Sequence, residues 1–144
     1  MSKWVIVVAV VAGALLTGCG GADTTAKAPV VPKSHGPVKD ARYSGVTELK
    51  DAAVQAGFSC PNWVQDNKVK LAAESGTCSD SDVFATFASD GDLQQQLDLT
   101  RSMNDLLKEN NIAPDPTLVG PNWTILSPQA PELATKLGGT VNRD

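Results

Sequence analysis

Sixteen acidic residues, three cysteines and a single histidine are the groups of this 144-residue chain best suited to chemistry. Nucleophilic systems of the Ser-His or Cys-His type need a histidine beside the nucleophile. The only one, His35, sits among prolines ahead of any periodic segment, which makes it a poor fixed base. Paired carboxylates of a glycan hydrolase must stand about 5–10 Å apart. Fourteen acids lie between Tyr43 and Asp144, but most fall at turns, caps and polar helix faces, where charge is solvated. Asp80, Asp82, Asp90 and Asp92 raise a calcium reading. The two pairs flank a strand of about seven residues, so at roughly 3.3 Å per residue they stand near 20 Å apart and cannot share an ion. Neither pair fits the calcium loop with ligands at its first, third, fifth and twelfth positions. There is no glycine-rich phosphate loop and no basic aromatic patch, and a formal charge of −4 argues against nucleic acid as a partner. The expectation is a non-enzyme with no catalytic residue, cofactor or metal ligand.

Apolar residues are unevenly distributed. Thirteen of the 60 lie in residues 1–18, which leaves residues 19–144 about 37% apolar. Met1-Ser2-Lys3 is a short positive start, and residues 4–16 carry no polar side chain. That run is too short for a membrane span of about 20 residues and has the length of a signal-peptide core, roughly 7–15 residues. Leu16-Thr17-Gly18-Cys19 follows and resembles the lipobox of bacterial lipoproteins. The resemblance implies that the Cys19 thiol receives a diacylglycerol, that a signal peptidase removes residues 1–18, and that the mature chain is held outside the cytoplasm at the cell membrane. Two acyl chains make such an anchor stable, whereas one chain binds only marginally.

Residues 19–42 read as a tether. Pro29, Pro32 and Pro37 recur among small and polar residues without apolar periodicity, a composition unable to offset its own chain entropy. Lys27, Lys33, Lys39 and Arg42 against Asp23 and Asp40 give it a net charge of +2. Residues 43–144 hold seven basic and fourteen acidic side chains, a net of −7. With Cys19 lipidated, Cys60 and Cys78 remain, and an even pair in an exported domain reads as a disulfide.

The elements that position these residues follow from periodicity. Val46, Leu49, Ala53 and Ala56 predict a helix over 45–56, with Ser44 as N-cap and Gly57 as its stop. Val69, Leu71 and Ala73 alternate with polar residues over 68–77, a first strand. Residues 82–88 alternate likewise, and Ser79-Asp80-Ser81 makes the two a hairpin. Ser89-Asp90-Gly91-Asp92 is a capping pattern that opens a helix over 91–110, whose face carries Leu93, Leu97, Thr100, Met103 and Leu107. A third strand is expected over 117–127 with a bend at Gly120-Pro121, since proline is tolerated only at bends or edges. Ser127-Pro128 opens a last helix that buries Leu133, Ala134 and Leu137 and ends at Gly138-Gly139. The order α-β-β-α-β-α predicts a small α+β domain, with about three antiparallel strands and the helices on one face.

Pro-Asn-Trp occurs at residues 61–63 and again at 121–123, but the flanks align poorly, and both tryptophans are expected to cap the core. Taken with the lipobox and the proline-rich tether, the Cys60/Cys78 framework with Ser75-Gly76-Thr77-Cys78, and Val119-Gly120-Pro121-Asn122-Trp123 before a helix ending in Gly-Gly, resemble small lipoproteins of actinobacteria and their phages. That group has no assigned activity, so the resemblance implies lipidation at Cys19 and carries over no active site. In a bacterial lipoprotein the glycosylation-like Asn122-Trp123-Thr124 carries little weight. The expected function is a non-catalytic binding module at the cell surface, with an unnamed protein or envelope partner; its narrowest form is prophage-type exclusion of an incoming phage. Alternatives are a cell-envelope enzyme or enzyme inhibitor using exposed carboxylates, and a small-ligand carrier, which requires an apolar pocket.

Overall fold

Val46, Leu49, Ala52 and Ala53 form the buried side of the first helix, α1 (Val46–Gln55), in a computed structural model that describes residues 37–143. The expected signal segment, Cys19, His35 and most of the expected tether lie outside these residues. Gly45 rather than Ser44 occupies the N-cap of α1 and offers no side-chain acceptor. Glu74, from the first strand, accepts a hydrogen bond from the Val46 N–H at 2.8 Å instead. Ser44, one residue outside, donates both its N–H and its hydroxyl to Glu48 at 2.9 and 2.8 Å. The helix stops as predicted at Gly57, whose φ of +96° suits a residue without a Cβ.

β1 (Glu74–Ser79) and β2 (Asp82–Thr86) form the expected antiparallel hairpin. β1 begins six residues later than the alternation at 68–77 suggests. Over 67–75 local polar groups compete with strand pairing: Asn67 has φ +50° and accepts from the Ser75 N–H at 2.9 Å, while the Ser75 hydroxyl accepts from the Val69 N–H at 3.1 Å. Only Val64, through a single bridge to Thr77, extends pairing upstream.

α2 (Asp90–Glu109) opens at Ser89, whose hydroxyl accepts from the Asp92 N–H at 3.1 Å, as the capping pattern predicts. The single strand expected over 117–127 is in fact a second hairpin, β3 (Thr117–Val119) and β4 (Trp123–Leu126). The expected bend is a complete reversal. A Cβ at Gly120 would lie 2.0 Å from Cε2 of Trp123, so only glycine lets the turn close over the indole. α3 (Ala130–Leu137) buries Ala130, Leu133 and Leu137, while Ala134 is half-buried. After Gly138 and Gly139 the chain returns as β5 (Thr140–Asn142), a strand too short for periodicity to reveal.

The domain is therefore α+β with a five-stranded antiparallel sheet ordered β1-β2-β4-β3-β5, not about three strands. The helices do not share one face. Phe84, Leu118, Trp123 and Ile125 point toward α1 and α3 in the main core. Ala85 and Val119, the next residues along their strands, point oppositely and meet Leu93 and Leu97 of α2 and Val69, Leu71 and Ala72 of the loop before β1. The two Pro-Asn-Trp segments differ likewise: Trp123 is fully buried at the centre of the core, whereas Trp63 is half-buried against Phe84 at 5.7 Å.

Candidate functional site

The acids singled out by type and spacing are spread over separate structural tasks. Asp82 accepts hydrogen bonds from the hydroxyls of Ser127 at 2.6 Å and Ser79 at 2.5 Å, tying β2 to the entry of α3. Asp92 closes the cap with Ser89, Asp90 pairs with Arg42 at 3.2 Å, and Asp80 sits in the exposed β1–β2 turn. Among the described residues no group of three or more His, Cys, Asp or Glu side chains is placed to hold a metal ion. Cys60 and Cys78 are joined in a disulfide across a Cα–Cα distance of 5.0 Å, linking the segment after α1 to β1.

Asn122 is buried, and both ends of its amide are engaged. Its Nδ2 donates to the Tyr43 carbonyl at 2.8 Å and its Oδ1 accepts from the Tyr43 N–H at 3.1 Å. That amide serves as a staple for the entering chain and is not presented to solvent as a glycan acceptor. The Trp123 Nε1 donates to the Ala41 carbonyl at 2.8 Å and completes the same staple.

Two concave regions adjoin this framework. The first, about 530 Å³, lies between residues 37–43 and the outer side of α1 and contains Arg42, Tyr43, Glu48 and Asp51. The Tyr43 hydroxyl is buried without a hydrogen-bond partner, and burial, followed by the charge of Glu48, raises its pKa. The N–H and hydroxyl of Ser44 hold Glu48 below the ordinary glutamate value. A carboxyl-pair hydrolase needs one acid kept protonated near neutral pH. Glu48 is pushed the other way, and Asp51 pairs with Lys50.

The second region follows α2. Leu93, Leu97, Thr100, Asn104 and Leu107 face the sheet or its margin. Leu99, Met103 and Leu106 form a second stripe, respectively 53%, 58% and 55% exposed, and Ile112 just beyond the helix is 53% exposed. Beside the stripe a groove of about 370 Å³ runs between α2 and the 114–115 loop, floored by Leu126 of β4. Asp115 is the one ionisable side chain lining it. A narrower gap of about 90 Å³ continues beneath the helix to Val83 and Ala85, and the Thr117 hydroxyl is buried at its edge without a hydrogen-bond partner.

The periodicity puts Met103 on one broad face with Leu93, Leu97, Thr100 and Leu107; in the structure it is 58% exposed, on the outer stripe. The signal was present in the width of the apolar arc. At about 100° per residue, Leu97 to Leu106 spans nearly half of the helix circumference, more than one sheet contact covers.

Comparison with known proteins yields no match: no family model, curated protein or solved structure aligns significantly with this chain.

Proposed function

We propose that this chain is a lipid-anchored binding module that catalyses no reaction. Cys19 carries the anchor, the proline-rich tether spaces the domain from the membrane on its extracytoplasmic side, and the α+β domain presents α2 to a protein partner. The observation that carries the reading is the second apolar stripe of α2, with Leu99, Met103 and Leu106 all more than half exposed beside an open groove. Neighbouring exposed apolar residues beside a concavity mark interaction sites more often than isolated ones do. The lipobox residues support the anchor. No helix among the described residues is long and apolar enough to cross a membrane.

A photo-cross-linking residue at Met103 tests this in the native envelope, with the same residue at Gln94, on the other side of α2, as the reference. The expected result is one discrete adduct from position 103 and none from position 94. Equal labelling from both positions, or none from either, sinks the reading. The narrower form of the proposal is exclusion of a superinfecting phage. Its check is plating efficiency on a sensitive host expressing the chain; unchanged plating across a broad phage panel ends it.

A further inference from the structure

The partner chemistry of the α2 groove follows from how charge is arranged around it. We infer that the groove takes an amphipathic segment of another protein that carries lysine or arginine beside its apolar face. This rests on the binding-module reading above.

The helix separates its charges by flank. At about 100° per residue, Arg101 and Lys108, the only cations of α2, lie some 160° from Leu99 and Leu106 respectively. Arg101 is further held by Asp98 at 3.0 Å on that far flank. On the groove side the one charge is Asp115 in the wall; Asp98, Asp105 and Glu109 lie within about 40° of one another on the side of the helix away from the groove. Asp115 forms no ion pair among the described residues. An apolar strip bordered by an uncompensated carboxylate, on a domain of net charge −7, favours a cationic, amphipathic occupant, because opposite charges at the rim fix register and speed encounter.

The same charges disfavour the competing occupants. A second copy would bring another domain with fourteen acidic and seven basic side chains against the first. An anionic lipid surface would meet the same repulsion. The length of the site agrees with a helical guest. Leu99 to Leu106 spans about 10 Å, two turns of helix.

The test uses the full lipidated chain in zwitterionic nanodiscs, with the signal from empty nanodiscs subtracted. The probe is a labelled helix-forming peptide with Leu at i, i+3, i+4 and i+7 and Lys at the other positions. Saturable binding is expected, weakened at least tenfold when Glu replaces Lys in the peptide. The exposed-site variants Met103→Ser and Leu106→Ser are each expected to weaken it at least tenfold. The variant Asp115→Asn should weaken it at least threefold and flatten its salt dependence. Asp105→Asn makes the same charge change on the side away from the groove and should stay within twofold. Equal affinity for the Glu peptide, or equal losses from Asp115→Asn and Asp105→Asn, overturns the inferred partner chemistry while leaving a face-specific Met103 adduct intact. Oxidative dimerisation of a Met103→Cys variant would assign the groove to a second copy and likewise overturn it. Failure of the adduct itself overturns the underlying reading.

Discussion

Asn122 does for the entering chain what a neighbouring strand would otherwise do, since its side-chain amide completes both backbone groups of Tyr43. Removing that amide leaves a buried N–H and C=O unpaired, and each such group costs about 1–3 kcal/mol. Asn122→Ala should therefore lower the unfolding free energy by about 2–4 kcal/mol in urea titration; a change under about 0.5 kcal/mol would show that the staple is idle. Glu48 makes a separate prediction in acid. Its folded pKa is lowered from 4.5 by Ser44. The stabilisation is thus present above the unfolded value and is lost as pH falls through the lower folded value. Glu48→Gln should flatten the stability-versus-pH curve in that window and leave its shape near neutral pH unchanged. A carboxylate this exposed contributes modestly, and added salt should shrink the difference.

At the scale of elements, the disulfide joins two pieces that local structure does not hold together. Cys60 lies in the irregular segment after α1, and Cys78 lies in β1, eighteen positions on. Closing a loop of that size in the unfolded chain is worth about 3 kcal/mol on the entropic account. Cys60→Ala/Cys78→Ala should lose roughly that much in denaturant unfolding, and an unchanged midpoint would argue that packing alone fixes the segment. The elements also show what was legible in order along the chain. The caps of α2, the stop at Gly57 and the β1–β2 hairpin each rest on contacts within a few residues, and each follows from local sequence. The late start of β1 does not, because Val69, Leu71 and Ala72 alternate passably as a strand yet pack from a loop against Leu93 and Leu97. Gly120-Pro121 is compatible with a bend and with a reversal alike; the fit of Gly120 over Trp123 makes it a reversal.

On the proposed function, the consequential step for the whole molecule is anchoring at Cys19, the cysteine of the lipobox-like Leu16-Thr17-Gly18-Cys19. Cys19→Ser should abolish labelling by a radioactive fatty acid and move the protein out of its normal membrane fraction. Continued labelling would contradict the assignment. The net of +2 on the tether and −7 on the domain favours an arrangement in which the domain stands off an anionic surface. That is compatible with α2 remaining open to a protein.

By itself the sequence determined what is carried by contiguous residues. It supplied the apolar run ending at Leu16-Thr17-Gly18-Cys19, the opposite charges of tether and domain, the α+β composition and most helix ends. Tertiary structure decided which side of the sheet each helix takes, how many strands the sheet has, and which apolar residues of α2 stay uncovered. Those features depend on partners far apart in the chain: Leu118 meets Val141 across β3 and β5, and Glu74 caps α1 from β1. A helix whose apolar arc is wider than its contact leaves a remainder, and only the position of the sheet shows that the remainder is Leu99, Met103 and Leu106.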